Sequence, residues 1–298
     1  MADNVITEVS ETRAVLGDES WRVRPLDDPM QRAFQGTKAG EILAAFARMS
    51  DGDAHGPRKQ AAIELIGSMD RAEIPGLARE SISTLDRPTP HDLQFMVPGM
   101  IVAGLLGAPA EVRGPIVEQV RSLVVAIRPD ATPDAVEKAV VDMERVLPAF
   151  VNLAGSTEIE VLASYVSMIF QASDAMAALV GNALIAYSHM PAKSQSSGME
   201  IVMRSMTERV PVRNTKRFQG QTSVIVDLEH AHTQFPKAGW TFGYGAHVCP
   251  ARNLVTMIAS AVIDLVIESG HSGVRQTGWE AVPNVWIPIL KDRGEDTQ

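Results

Sequence analysis

One cysteine, Cys249, stands alone in 298 residues. That excludes an internal disulfide and the usual zinc sites built from several thiolates. Basic residues are outnumbered, 27 Lys and Arg against 36 Asp and Glu, for a formal net charge of −9. A polyanion needs a basic surface, so nucleic acid is not the expected main partner. No uninterrupted apolar run reaches the length of a membrane span, and the acidic start "MADNVITEVSETRAVLGDES" lacks the pattern of a signal peptide. Repeats, low-complexity tracts and charged linkers are missing too. The expectation is a cytoplasmic protein with no membrane partner, folded as one domain over residues 1–298 behind a polar lead of about 25 residues. With 45% hydrophobic residues the chain can bury a sizeable core.

What is present reads mainly as helix, with small β sheets attached. "QRAFQGTKAGEILAAFARMS" has a helical pattern containing glycine. A helix is expected near Pro57, and another where Thr132-Pro133 supplies a cap and a first-turn proline. The longest candidate runs from Ser156 to about Met190. Its middle is apolar all round and should be buried, apart from the interruption "QASD" at 171–174. A buried Asp174 needs a partner, water or a ligand, and Ser173 can mark a local distortion. The loop through "PAKSQSSG" leads into a short helix, "TSVIVDLEHAH" reads as a strand with a polar tail, and "NVWIPIL" reads as a short strand. The helix after Cys249 should stop at Gly270.

Cys249 lies in "TFGYGAHVCP", at the entrance to that helix. Gly243 and Gly245 can take backbone angles closed to other residues and leave room for a flat ligand. Free N–H groups at the helix start favour a thiolate. Three readings stand: an axial metal ligand, a nucleophile with His247 as its base, or a buried free cysteine.

The stretch "FGYGAHVCPA" resembles the heme-binding loop of the cytochrome P450 superfamily, with Phe242, Gly243, Gly245, His247, Cys249 and Ala251 in register. The resemblance implies a reduced cytochrome P450-like fold, heme b as cofactor and Cys249 as the proximal thiolate ligand of its iron. It implies that Phe242 packs beside the ring and that His247 meets a propionate. "DGDAHGPRKQAAI" is similar to the helix start where a histidine and a later basic residue hold propionates; His55 takes the first place and Lys59 the second, with Arg58 beside it. "PVRNTKRF" offers Arg217 for the same task. "FQASDAMAALVGNAL" is similar to the distal helix, with Ala172 where a small residue gives room, Asp174 as the distal acid, and Gln171 and Ser173 as polar neighbours.

The departures from that pattern carry expectations of their own. Ala175 stands where the family usually has threonine, which puts ordinary reductive oxygen activation in question. Of the family's Glu-x-x-Arg pair Arg204 is in place, but Ile201 holds the glutamate position and Glu200 is one residue off. The chain is shorter than is typical, with an abridged N-terminal sheet region and a compressed interval from Arg204 to Cys249. An incomplete roof over the pocket predicts a homodimer. The activity implied is oxidation of a small organic molecule in bacterial specialised metabolism, with a redox partner or peroxide as co-reactant. Peroxide-driven or other non-oxygenase chemistry (dehydration, rearrangement, group transfer) and a non-catalytic heme sensor or scaffold are the alternatives.

Overall fold

A computed structural model describes residues 4–191, 196–270 and 273–293. The expected 191–197 loop lies partly outside them. In chain order the elements begin with β1 (Asn4–Ile6), α1 (Val9–Gly17), α2 (Pro29–Ala33), α3 (Lys38–Ala44), α4 (His55–Ser68) and α5 (Ile74–Ser83). Next come α6 (Pro90–Phe95), α7 (Val97–Leu105), α8 (Ala110–Ala126), α9 (Pro133–Ala154), α10 (Ile159–Gln171), α11 (Asp174–Ser188) and α12 (Gly198–Glu208). The chain closes with β2 (Asn214–Gln219), β3 (Thr222–Asp227), α13 (Leu228–Gln234), α14 (Arg252–Glu268), β4 (Val274–Trp279) and β5 (Pro288–Asp292). The fold is mainly α with two small sheets, as expected.

Local chemistry sets several boundaries. Thr132 caps α9 by accepting from the Ala135 amide, and Pro133 opens its first turn. Thr89 and Asp92 form a reciprocal capping box on α6. The pattern expected as one helix from Gln31 onward divides into α2 and α3, because Thr37 caps a new start by accepting from the Gly40 amide. The polar tail expected after β3 is instead helix α13, nucleated where the Asp227 carboxylate accepts from the His230 amide. Strand β2 is a further element that the sequence pattern did not show.

The three-stranded sheet has the order β1-β3-β2, with β1 parallel to β3 and β2 antiparallel to it. The polar N-terminal lead therefore supplies an edge strand and, in α1, a helix that packs on the Cys249 loop. Strands β4 and β5 pair antiparallel with an irregularity at Gln276/Gly278.

The single long helix expected over 156–190 is two helices. At Ser173 the backbone turns to φ −95°, ψ −107°, and its hydroxyl donates back to the Ile169 carbonyl at 3.4 Å. That side-chain bond competes with the helical ladder and accompanies the break. Helix α10 packs on α3, α4, α8 and α9, whereas α11 packs on α6, α12 and α14. The stretches Ile159–Ser188 and Gly245–Glu268 reach the length and mean hydropathy of a membrane span, although polar residues such as Glu160, Asp174 and Asp264 interrupt them. Burial inside the fold accounts for 78% of the first apolar window and 50% of the second.

Candidate heme-binding site

The loop from Trp240 to Cys249 is closed by its own backbone. The Cys249 amide donates to the Phe242 carbonyl at 2.7 Å, and the Gly243 amide to the Trp240 carbonyl at 2.9 Å. Gly243 sits at φ +75°, and a Cβ there would come within 3.0 Å of the His247 carbonyl. Gly245 sits at φ +66°, and a Cβ there would collide with the Leu16 carbonyl at the end of α1. Both positions thus require glycine. Phe242 is mostly buried, with the Arg252 guanidinium 5.1 Å from its ring centre.

Cys249 is partly buried. Burial pushes its thiol above the ordinary range, outweighing the Ala251 amide bond and the fields of Lys59 and Arg48. The helix-start donor expected to favour a thiolate is present, but desolvation outweighs it.

Basic and imidazole groups gather beside this loop. His55, the first residue of α4, and His247 stack with ring centres 4.1 Å apart. His247 Nε2 is 3.4 Å from Asp51 Oδ1, and the Asp51 carboxylate also accepts from the Val23 amide at 3.1 and 3.2 Å. Arg22 lies 3.8 Å from the same carboxylate. Lys59, one helical turn beyond His55, donates to the Ala246 carbonyl. Arg217 on β2 is buried and donates to the Thr215 hydroxyl at 2.6 Å and the Lys216 carbonyl at 3.0 Å. Burial lowers its pKa to about 10, with Asp51 opposing that shift and Arg48 adding to it. Among the described residues Arg217 has no ion-pair partner.

Arg58 turns elsewhere. It pairs with Glu160 of α10 at 2.9 Å and donates to the Ala44 carbonyl and Ser50 hydroxyl, tying α4 to α10 and α3. Across the break, Ala172 and Ser173 are buried, Gln171 and Ala175 are exposed and Asp174 is partly buried. Arg128, beyond the end of α8, donates to both Asp174 oxygens at 3.0 Å. Asp174 thus has the partner its environment called for, but Gln171, Ser173 and Asp174 do not hydrogen-bond one another.

Sequence reasoning missed Asp51, Arg128 and Arg48. Asp51 sits four residues before His55 in a turn whose acidic character carried a weak signal; the two arginines carried none. Among the described residues no group of three or more His, Cys, Asp and Glu is arranged to hold a metal ion. A recess of about 500 Å³ lined by Val151, Asn152, Gly155, Ser156, Thr157 and Glu158 includes none of these site residues.

The donor set suits heme b. Buried cations without anionic partners are costly, and the two propionates of heme would supply carboxylates beside Arg217, Lys59 and the histidine pair. The sole thiol lies at the same place.

No family model matches the sequence, and neither does any curated protein. The fold has many counterparts among solved structures. P450BioI, in complex with an acyl carrier protein ligated to hexadec-9Z-enoic acid, superposes with a TM-score of 0.76 at 14% identity, covering 96% of this chain and 91% of that one. CalO2 gives 0.75 at 16% identity, with 97% and 89% covered. HmtT, involved in himastatin biosynthesis, gives 0.73 at 14%, with 96% and 90% covered. The chain has the cytochrome P450 fold.

Proposed function

We propose that this chain is a cytoplasmic heme-thiolate oxidoreductase acting on a small organic molecule. The observation that carries the reading is the lone Cys249 in the field of Lys59, on the same loop as His247, which stacks on His55, in a chain with a P450 fold. The role of HmtT in himastatin biosynthesis supports specialised metabolism as the setting.

Bound heme supplies oxidising chemistry at an iron that a thiolate makes electron-rich. The chain's own residues do the rest. Cys249 would ligate the iron, losing its proton as it does so. Phe242, with the Arg252 guanidinium over its ring, would pack beside the heme and limit access to the sulfur. His55, His247, Lys59 and Arg217 would hold the propionates. Arg128 orients Asp174 at the distal break, where the carboxylate can accept or release a proton.

A peroxide-driven or non-oxygenase route is the second reading. Ala175 carries no hydroxyl, and Asp174 is engaged by Arg128 rather than by Gln171 or Ser173. Peroxide brings its own electrons and protons, so that route tolerates the missing relay. A redox partner is required only by the first. A homodimer covers the pocket mouth in either case, and sedimentation tests it.

The test of the heme-thiolate assignment is spectroscopic. The ferrous carbon monoxide complex should absorb at the position typical of thiolate ligation, and Cys249→Ser should lose that band while keeping its helical circular dichroism. An unchanged band in the serine variant overturns the assignment.

A further inference from the structure

Helices α8 and α9 meet along a recess of about 280 Å³ that is lined by none of the residues assigned to heme. Its walls are Glu118, Arg121, Ser122 and Val125 of α8, with Ala135 and Lys138 of α9. The spacing is helical: positions 118, 121, 122 and 125 share one face of α8, and 135 and 138 share one face of α9. The volume falls just below the range usual for drug-sized ligands, so it suits a smaller metabolite.

Three charges line this recess, and only Lys138 is neutralised within the protein. It donates to the buried carboxylate of Asp142, one turn further along α9. Glu118 and Arg121 stand three apart on α8, a spacing at which opposite charges commonly pair. Among the described residues no ion pair or hydrogen bond joins them. The reason lies beneath Arg121. Its guanidinium carbon is 4.4 Å from the centre of the Phe95 ring, and its Nη1 is 3.8 Å from Met96 Sδ. Phe95 is buried and is itself stacked by His91, with ring centres 4.6 Å apart. A cation–π contact thus holds the half-buried guanidinium inward over α6, while Glu118 stays exposed. No nitrogen of Arg121 is sealed away without a partner, so its remaining N–H groups open onto the recess.

One wall therefore carries a cation and an anion that do not meet, with apolar Val125 and Ala135 beside them. The planar guanidinium fork matches a carboxylate through parallel hydrogen bonds. The free carboxylate of Glu118 matches an ammonium. A fatty acid would satisfy Arg121 but face the charge of Glu118, and an amine would meet the reverse conflict. A zwitterion answers both.

We infer that the α8–α9 recess binds a free α-amino acid with an apolar side chain. Its carboxylate sits on Arg121, its ammonium on Glu118, and its side chain against Val125 and Ala135.

The experiment titrates the full chain, loaded with heme, with three probes of one carbon skeleton. These are L-leucine, isocaproate, which lacks the ammonium, and isoamylamine, which lacks the carboxylate. Calorimetry should give L-leucine a Kd of about 1 mM or below, and each half-ligand at least about tenfold weaker binding. Arg121→Gln and Glu118→Gln should each weaken L-leucine about tenfold or more, and Glu118→Gln should strengthen isocaproate. No binding of L-leucine to native protein overturns the inference. So does equal binding of either half-ligand, which would mean a plain carboxylate or amine site, and so does L-leucine binding that neither substitution weakens. The heme absorption band should not move with L-leucine; a shift that Arg121→Gln leaves intact would put the amine at the heme and overturn the recess. Circular dichroism checks folding, and the exposed Glu118 carries the test where loss of the Phe95 contact unfolds the arginine variant. Failure of the heme reading shows separately, as a missing thiolate band in the native carbon monoxide complex.

Discussion

Arg128 reaches both oxygens of Asp174 with one guanidinium nitrogen, at 3.0 Å each. The bond ties the segment after α8 to the first residue of α11. Its side chains are only 26% and 19% exposed, so the pair is screened less than a surface pair. Asp174→Asn or Arg128→Gln alone should destabilise the fold by about 1–2 kcal/mol, because each leaves a half-buried partner charge. A double-mutant cycle on urea melts should return a coupling of about 1 kcal/mol. Additive effects would show that the contact does not lock the break.

The absence of a Glu-x-x-Arg pair raises the question of what anchors α12. Arg204 is 59% exposed and pairs with Glu208 on the surface, while Glu200 serves the capping box with Ser197. The anchor is Asp264 of α14, which accepts from the Gly198 amide at 2.6 Å and the Ser260 hydroxyl at 3.3 Å. Asp264→Ala should cost about 2 kcal/mol in a denaturant melt. Arg204→Ala should stay within about 0.5 kcal/mol. The reverse order would mean that Arg204 has kept the structural role expected from the family pattern.

Gly245 governs how the loop is seated. Alanine there takes a left-handed backbone and strikes the Leu16 carbonyl. Gly220 has a similar φ of +57° but nothing near its would-be Cβ. Gly220→Ala should cost about 1 kcal/mol from backbone strain alone, and Gly245→Ala more than about 2 kcal/mol. Heme retention should fall only in the second. Equal losses would mean that α1 yields without cost.

His55 makes the heme-free protein sensitive to acid. Its pKa is lowered from 6.5, first by burial and then by His247 and Lys59. The unfolded chain therefore takes up a proton where the folded one does not, so stability is present above about pH 6.5 and is lost as pH falls below it. His91, lowered by burial and then by Arg121, adds a slope of the same sign. For Asp51, burial raises the pKa, but the bonds from His247 and the Val23 amide and the charges of His247 and Arg22 together hold it below 3.8, so its contribution is lost only at lower pH. Melts between about pH 8 and 5 should show the decline, His55→Asn should flatten part of it, and heme loading should do the same by placing carboxylates against the ring. A slope indifferent to His55→Asn would locate the sensitivity elsewhere.

The Cys249 loop was far more legible than the α10–α11 break, for a physical reason. A loop that must hold one sulfur at a helix start uses glycines, an aromatic and a histidine at fixed offsets, and Gly243, Gly245 and Cys249 carry that geometry within a few residues. Capped helices such as α9 were legible in the same local way, through Thr132 and Pro133. Long-range partners leave no such trace. Nothing in "SDGD" shows that Asp51 meets His247, or in "AIRPD" that Arg128 meets Asp174. Strand β2 is hidden because Lys216 and Arg217 interrupt its alternation while tertiary packing buries Arg217. Arg58 and Lys59 are adjacent and chemically alike; only the position of Glu160 sends one away from the loop.

Ala175 sits on the first turn of α11 with an accessible side chain and no hydroxyl. Its neighbours do not replace that hydroxyl: Ser173 donates to Ile169, Asp174 is held by Arg128, and Gln171 is exposed. On the proposed heme-thiolate reading, proton delivery beside the α10–α11 break would fall to solvent, to the substrate or to Asp174 after release from Arg128. General acid–base help from a positioned group is worth about 10² to 10⁴ in rate, so a missing relay should appear as wasted reductant. With a reductase and NADH, native protein should form little product per NADH consumed, and Ala175→Thr should raise that ratio several-fold at similar heme content. With peroxide, native protein and Ala175→Thr should turn over alike. Tight NADH-coupled turnover in the native protein, unchanged by threonine and unmatched by peroxide, would mean that the chain delivers protons without a hydroxyl at this position. Arg128→Gln then becomes the informative variant, since freeing Asp174 should alter coupling only if that carboxylate is the donor.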